Sequence, residues 1–271
     1  GFYQDRLKAM KSWIHTADQP YSQAQVQSIL HQASQVKRPF YYAYNEGWRY
    51  MRDFLHMTFY LFLIYLVLAL SALTSSDDEQ GFTEMDLHTK KGRFGLYLAK
   101  LRAGEIFASL SYLAYLGFLL VYHWMIYSLH GSNASIEFYS SPAIFNLTTC
   151  QGFFLEALSG YFASLVMVNI ILFVSMFFHK TKVSLVLLTL ILIYLNKWAA
   201  SPQPWANTLA YFTPQNFVRY NFSASKLLVL KNHVFPYTLT AFFLSLAYTS
   251  ISRFLAIPLM NHYYLKGGKG K

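Results

Sequence analysis

Glu156 is the side chain in this sequence whose setting invites unusual chemistry. It lies in residues 153–178, a stretch that is otherwise almost wholly apolar. A carboxylate at membrane depth must be paired, neutralised or put to use, so it is a functional candidate by default. Its place only a few residues into the stretch also allows a plainer reading, in which it faces interfacial water. Asn196, near the end of the apolar run 183–199, is a second polar candidate for a substrate pathway. Little else converges. The nine histidines are scattered, with no HExxH or paired-glutamate spacing to hold a metal. Neither GxSxG nor GxxxxGK[ST] occurs, so the chain carries no nucleotide site and no cofactor of its own. Lys197 and Arg253 sit near the ends of apolar runs, where snorkelling accounts for them.

A different kind of chemistry, docking rather than catalysis, is suggested by residues 81–105, GFTEMDLHTKKGRFGLYLAKLRAGE. Leu87, Phe94, Leu98 and Leu101 recur at roughly helical spacing, with Lys90, Lys91, Arg93, Lys100 and Arg102 around them. Such a segment is either a topology-setting basic loop or an amphipathic helix offered to a partner.

The elements that must position these residues are membrane helices. Hydrophobic residues make up 55% of the chain and charged ones 13%, against about 25% in soluble domains. The net charge of +10 is explained by membrane orientation and anionic headgroups, not by nucleic acid, since no basic stripe crosses a foldable soluble domain. Cys150 is the single cysteine, which excludes an intrachain disulfide. Runs of about 20 apolar residues match the roughly 30 Å hydrocarbon core. They predict an all-α, polytopic membrane protein with five spans, at about 54–73, 106–129, 153–178, 183–199 and 234–260. The last is expected to be bounded by Pro236 and Pro258. Residues 1–53 read as a separate, polar, partly helical segment. Its passage FYYAYNEGWRY suits a membrane interface through its tyrosines and Trp48.

Five spans alternate the loops between two sides. Residues 74–105, 179–182 and the tail are short and basic, which predicts a cytoplasmic face and a cytoplasmic C-terminus. Residues 130–152 contain no Lys or Arg and fall outside, with 1–53. An external start that opens at Gly1 without a signal peptide predicts a further transmembrane helix before it, giving six.

A span, an acidic residue, a basic-Gly-Arg step, an alanine-lysine pair and then another span resemble the ABC-2 type permeases of ATP-binding-cassette exporters. Here those marks are Glu84, Lys91–Gly92–Arg93 and Ala99–Lys100, ahead of the span from Ile106. The phrase around Pro214 before a final span and a short basic tail is similar to that family too. The likeness covers about residues 45–271, with 54–271 as the transmembrane permease domain. It implies a cell-membrane exporter of a hydrophobic or amphipathic substrate such as a peptide, antimicrobial or lipid. Two permease subunits would pair, and a separate cytoplasmic ATPase would bring ATP and Mg. It further implies that 81–105 holds a coupling helix, with Glu84, Lys91, Gly92, Arg93 and Lys100 engaging the ATPase. The chain would then not be an enzyme by itself. Two other readings stay open: a non-transporting membrane sensor or immunity protein, and a membrane-embedded enzyme using Glu156 and a histidine.

Overall fold

In the computed structural model the chain is built almost entirely of helices. The structure describes residues 2–15, 21–73, 92–140, 142–178, 180–198, 209–219, 221–222, 227–230 and 233–267. In chain order these form α1 (Phe2–His15), α2 (Gln23–Ser34), α3 (Glu46–Leu70), α4 (Gly92–Tyr127), α5 (Thr149–Phe178) and α6 (Thr181–Trp198). A small antiparallel hairpin, β1 (Leu228–Leu230) with β2 (His233–Phe235), precedes α7 (Tyr237–Gly267). Single 3₁₀ turns occur at Ile136–Phe138 and Pro214–Asn216.

Among the described residues, three helices are long and apolar enough to cross a membrane: Glu46–Leu70, Gly95–Tyr127 and Thr149–Phe178. Thr181–Tyr194 is a shorter apolar helical stretch. The segments expected as fourth and fifth spans are thus helical, while the membrane criterion holds for three. Several boundaries move. The helix expected from residue 54 starts at Glu46, and the one expected from 106 starts at Gly92. Pro258 does not end the last helix, which runs on to Gly267. The hairpin is an exception to the all-α expectation; its strands pair Leu228 with Phe235 and Leu230 with His233.

α5 is the axis of the molecule. It is apolar on nearly every face, as a helix surrounded by other helices must be, and it packs against α3, α4, α6 and α7. Phe153, Val166, Met167, Val168, Ile171 and Leu172 are buried along it. Small residues allow close approach: a side chain at Gly160 would meet Tyr112 and Val218, and one at Gly104 would meet Val168 and Leu172. α4 is different. Ile106, Leu110, Leu113, Phe118, Val121 and Met125 lie exposed along it. So continuous an apolar surface belongs in hydrocarbon rather than water.

The helices alternate in direction, which gives the bundle two distinct ends. Gly47 faces Ser128 and Tyr127 at one end. Ser175 donates to the Ser71 carbonyl at 3.0 Å at the other. The first end is capped by α1, α2, the 128–148 loop and the hairpin. A buried ion pair staples that cap: Arg6 Nε donates to Glu137 Oε2 at 3.0 Å, and its other nitrogens reach the carbonyls of Ala33 and Ala143. α2 starts with a reciprocal capping box between Ser22 and Gln25. Its Gln32 brackets Val234 of β2, accepting from the backbone N–H and donating to the carbonyl, both at 3.3 Å. α3 takes up the last eight residues of the stretch 1–53.

Candidate functional site

Glu156 sits about two turns into α5 on the face turned towards α3. Its side chain is 0% exposed. On α3, Arg52 and His56 are one turn apart and so share a face. Arg52 Nε donates to Glu156 Oε1 at 3.1 Å, and His56 Nε2 lies 3.4 Å from Oε2, within ion-pair distance when the imidazole is protonated. The third partner comes from the cap: Tyr139 Oη donates to Oε2 at 2.7 Å. The tie is closed by Arg52 Nη1, which donates to the Tyr139 carbonyl at 3.0 Å, with the guanidinium 4.8 Å above the tyrosine ring.

Burial, reinforced by the neighbouring carboxylate, drives the Tyr139 phenol well above its ordinary range, so it remains an O–H donor. Glu156 does not face interfacial water. Both oxygens are engaged, and the cluster locks α3, α5 and the 128–148 loop together at the capped end.

Polar contacts continue down α5. Ser159 receives Asn221 Nδ2 at 2.7 Å, while Asn221 Oδ1 accepts the Thr238 backbone N–H at 2.8 Å. Nearer the other end, Asn169 donates to Thr249 at 3.2 Å and accepts from Ser252 at 2.7 Å. Each set bonds α5 to α7 through groups that would otherwise be unsatisfied in an apolar setting. The sequence holds a trace of this seam, because Ser159 and Asn169 interrupt an apolar helix. Their partners, up to 83 residues away, leave no local signal. The turn at Pro214–Asn216 is likewise buried. Asn216 satisfies itself on the Ala210 carbonyl at 3.1 Å, whereas neither amide atom of buried Gln215 has a hydrogen-bond partner among the described residues.

Of the residues expected to engage an ATPase, Gly92, Arg93 and Lys100 lie on α4 towards the end opposite Glu156. Glu84 and Lys91 fall outside the described residues. Gly92 and Arg93 open α4, where the backbone alone is described. Lys100 is half-buried and Arg102 exposed on the same helix. Asn196 belongs to α6, and its side chain also lies outside the described residues. The stretch 92–105 is not a separate helix between two spans; it is the first part of α4 itself. Leu73, just beyond α3, lies beside Gly104. Residues 92–103 therefore project about 18 Å past that level.

Trp48 is not an interfacial anchor. It is buried, donates to the Leu129 carbonyl at 3.3 Å and meets Phe153 edge-on. Tyr41, Tyr42 and Tyr44 do lie exposed. Among the described residues no three His, Cys, Asp or Glu side chains gather to hold a metal. Comparison with protein-family models, with curated proteins and with solved structures yields no match.

Proposed function

We propose that this chain is the membrane-spanning subunit of an ATP-binding-cassette exporter of the ABC-2 type. The observation that carries the reading is α4, a helix of 36 residues. At 1.5 Å per residue it measures about 54 Å, whereas the hydrocarbon core needs about 30 Å. Most of its surplus lies at the end opposite the cap, begins at Gly92–Arg93 and carries Lys100 and Arg102. A basic helical extension continuous with a span suits a cytoplasmic protein that must push on the membrane domain.

In this reading α6 and α7 complete five spans, and the capped end with residues 1–45 lies outside the cell. The C-terminus is cytoplasmic, two permease subunits pair, and Glu84, Lys91, Gly92, Arg93 and Lys100 meet the ATPase. ATP and Mg reside on that partner. The cargo is hydrophobic or amphipathic. A membrane enzyme acting through Glu156 would need that carboxylate free to meet a substrate, and Arg52 and Tyr139 hold its two oxygens.

The test is purification in mild detergent with its ATPase, followed by Lys91→Glu with Arg93→Glu. Buried interfacial charge pairs are worth roughly 2–5 kcal/mol when broken. ATPase stimulation in the reconstituted complex is therefore expected to fall at least about tenfold, which corresponds to about 1.4 kcal/mol. Insertion survives, because the spans keep their length. A fully assembled double variant with wild-type stimulation overturns the coupling role, and the absence of any co-purifying ATPase overturns the exporter.

A further inference from the structure

We propose that Arg219 holds the phosphate of a phospholipid headgroup at the membrane boundary of the capped end. The inference stands on membrane insertion alone and is independent of ATP coupling. Arg219 follows the buried Pro214–Val218 turn and reaches across to α3, where its Nη2 donates to the His56 carbonyl at 3.2 Å. The side chain is exposed and forms no ion pair among the described residues. A guanidinium offers five N–H donors, and this contact uses one of them.

Its depth makes that arrangement costly if it stands alone. The apolar run of α3 begins at Phe54, so the His56 carbonyl lies about 3 Å inside it along the helix axis. Met57 and Leu61, beside that carbonyl and one turn further on, are 67% and 60% exposed. These side chains must face acyl chains. A full positive charge at the edge of hydrocarbon requires an anion or a shell of water.

Among the described residues, none supplies the anion. Glu156 is buried and bound to Arg52 and Tyr139. Asp53, exposed on α3, forms no ion pair with Arg219. What lies at this level of a bilayer is the phosphate group. Its oxygens match the fork of a guanidinium, and its attached chains match the apolar surface below.

Native mass spectrometry of the detergent-purified protein tests this with three lipids: phosphatidylglycerol, phosphatidylcholine and a phosphate-free diglucosyl diacylglycerol. The wild-type protein should retain the first two in preference to the third. Arg219→Gln should weaken phosphatidylglycerol retention by about tenfold or more, since Gln keeps a hydrogen-bond donor but not the positive charge. Unchanged retention by Arg219→Gln overturns the proposal. So does equal retention of all three lipids by the wild type, a comparison that needs no variant and decides the matter even where Arg219→Gln misfolds.

Discussion

Removing the Glu156 carboxylate should destabilise the bundle more than most single changes. In Glu156→Ala, Arg52 keeps the Tyr139 carbonyl, Tyr139 Oη loses its acceptor, and a cavity opens where the side chain was 0% exposed. Breaking a buried ion pair from one side costs roughly 3–5 kcal/mol. Arg52 is 20% exposed and recovers part of its solvation, which favours the lower end, about 3 kcal/mol. Glu156→Gln fills the cavity and keeps an acceptor for one of the two donors, while its NH2 confronts the other, and should cost less, about 2 kcal/mol.

The diagnostic variant pairs Glu156→Leu with Arg52→Met. It removes both charges and should be more stable than the sum of the two single changes by about 2 kcal/mol or more. Equilibrium unfolding in mixed detergent micelles, followed by circular dichroism, gives the free energies. Hydrogen exchange at residues 136–140 reports whether the loop loosens. Additivity of the two single variants within about 0.5 kcal/mol would refute the idea that they act as a pair. A Glu156→Ala protein of wild-type stability would refute the clamp altogether.

Further outcomes follow from other contacts. With Cys150 replaced, Asn133→Cys should react with an impermeant maleimide on intact cells, and Arg102→Cys only after permeabilisation; the reverse pattern overturns the orientation. Gly160→Val drives a side chain into Tyr112 Oη and Val218 and should cost about 1–3 kcal/mol in the same unfolding assay, with Tyr112→Phe giving part of it back. Tyr21 bonds both the N–H and the carbonyl of Leu227, and burial pushes its phenol up to about 12. Since the folded value lies above the ordinary one near 10, the contact is intact below about pH 10 and is lost as pH rises through 12. Absorbance at the phenolate band should show a late step whose amplitude is smaller by one phenolate in Tyr21→Phe.

Of the five spans that hydropathy predicted, three are helices long and apolar enough to cross a membrane, and these were legible because apolar length is a local property of the chain. The ends of those helices were less legible. Arg49, Arg52 and Asp53 made residues 46–53 read as polar surroundings, yet helical hydrogen bonding continues through them, and Arg49 pairs with Glu46 at 2.6 Å. Lys100 and Arg102 similarly disguised the first turns of α4. Trp48 was misplaced because an indole suits an interface and a core equally, and only the Leu129 carbonyl decides between them. The peculiarity of Glu156 was visible, whereas its partner Arg52, 104 residues away, was not. Charge placed on two separate helices has no signature in either segment; the fold supplies the pairing.

The fastening of α2 to the hairpin has a consequence for how the chain is made. Gln32 waits for Val234, which is 202 residues further along. At about 5–20 residues per second, the ribosome takes roughly 10–40 s to deliver it. Arg6 finds Glu137 earlier, after 131 residues. During biosynthesis the cap must therefore close in two stages, first onto the loop and later onto the hairpin. Between those stages one flank of α2 remains uncovered, open to proteases and chaperones that the finished molecule excludes.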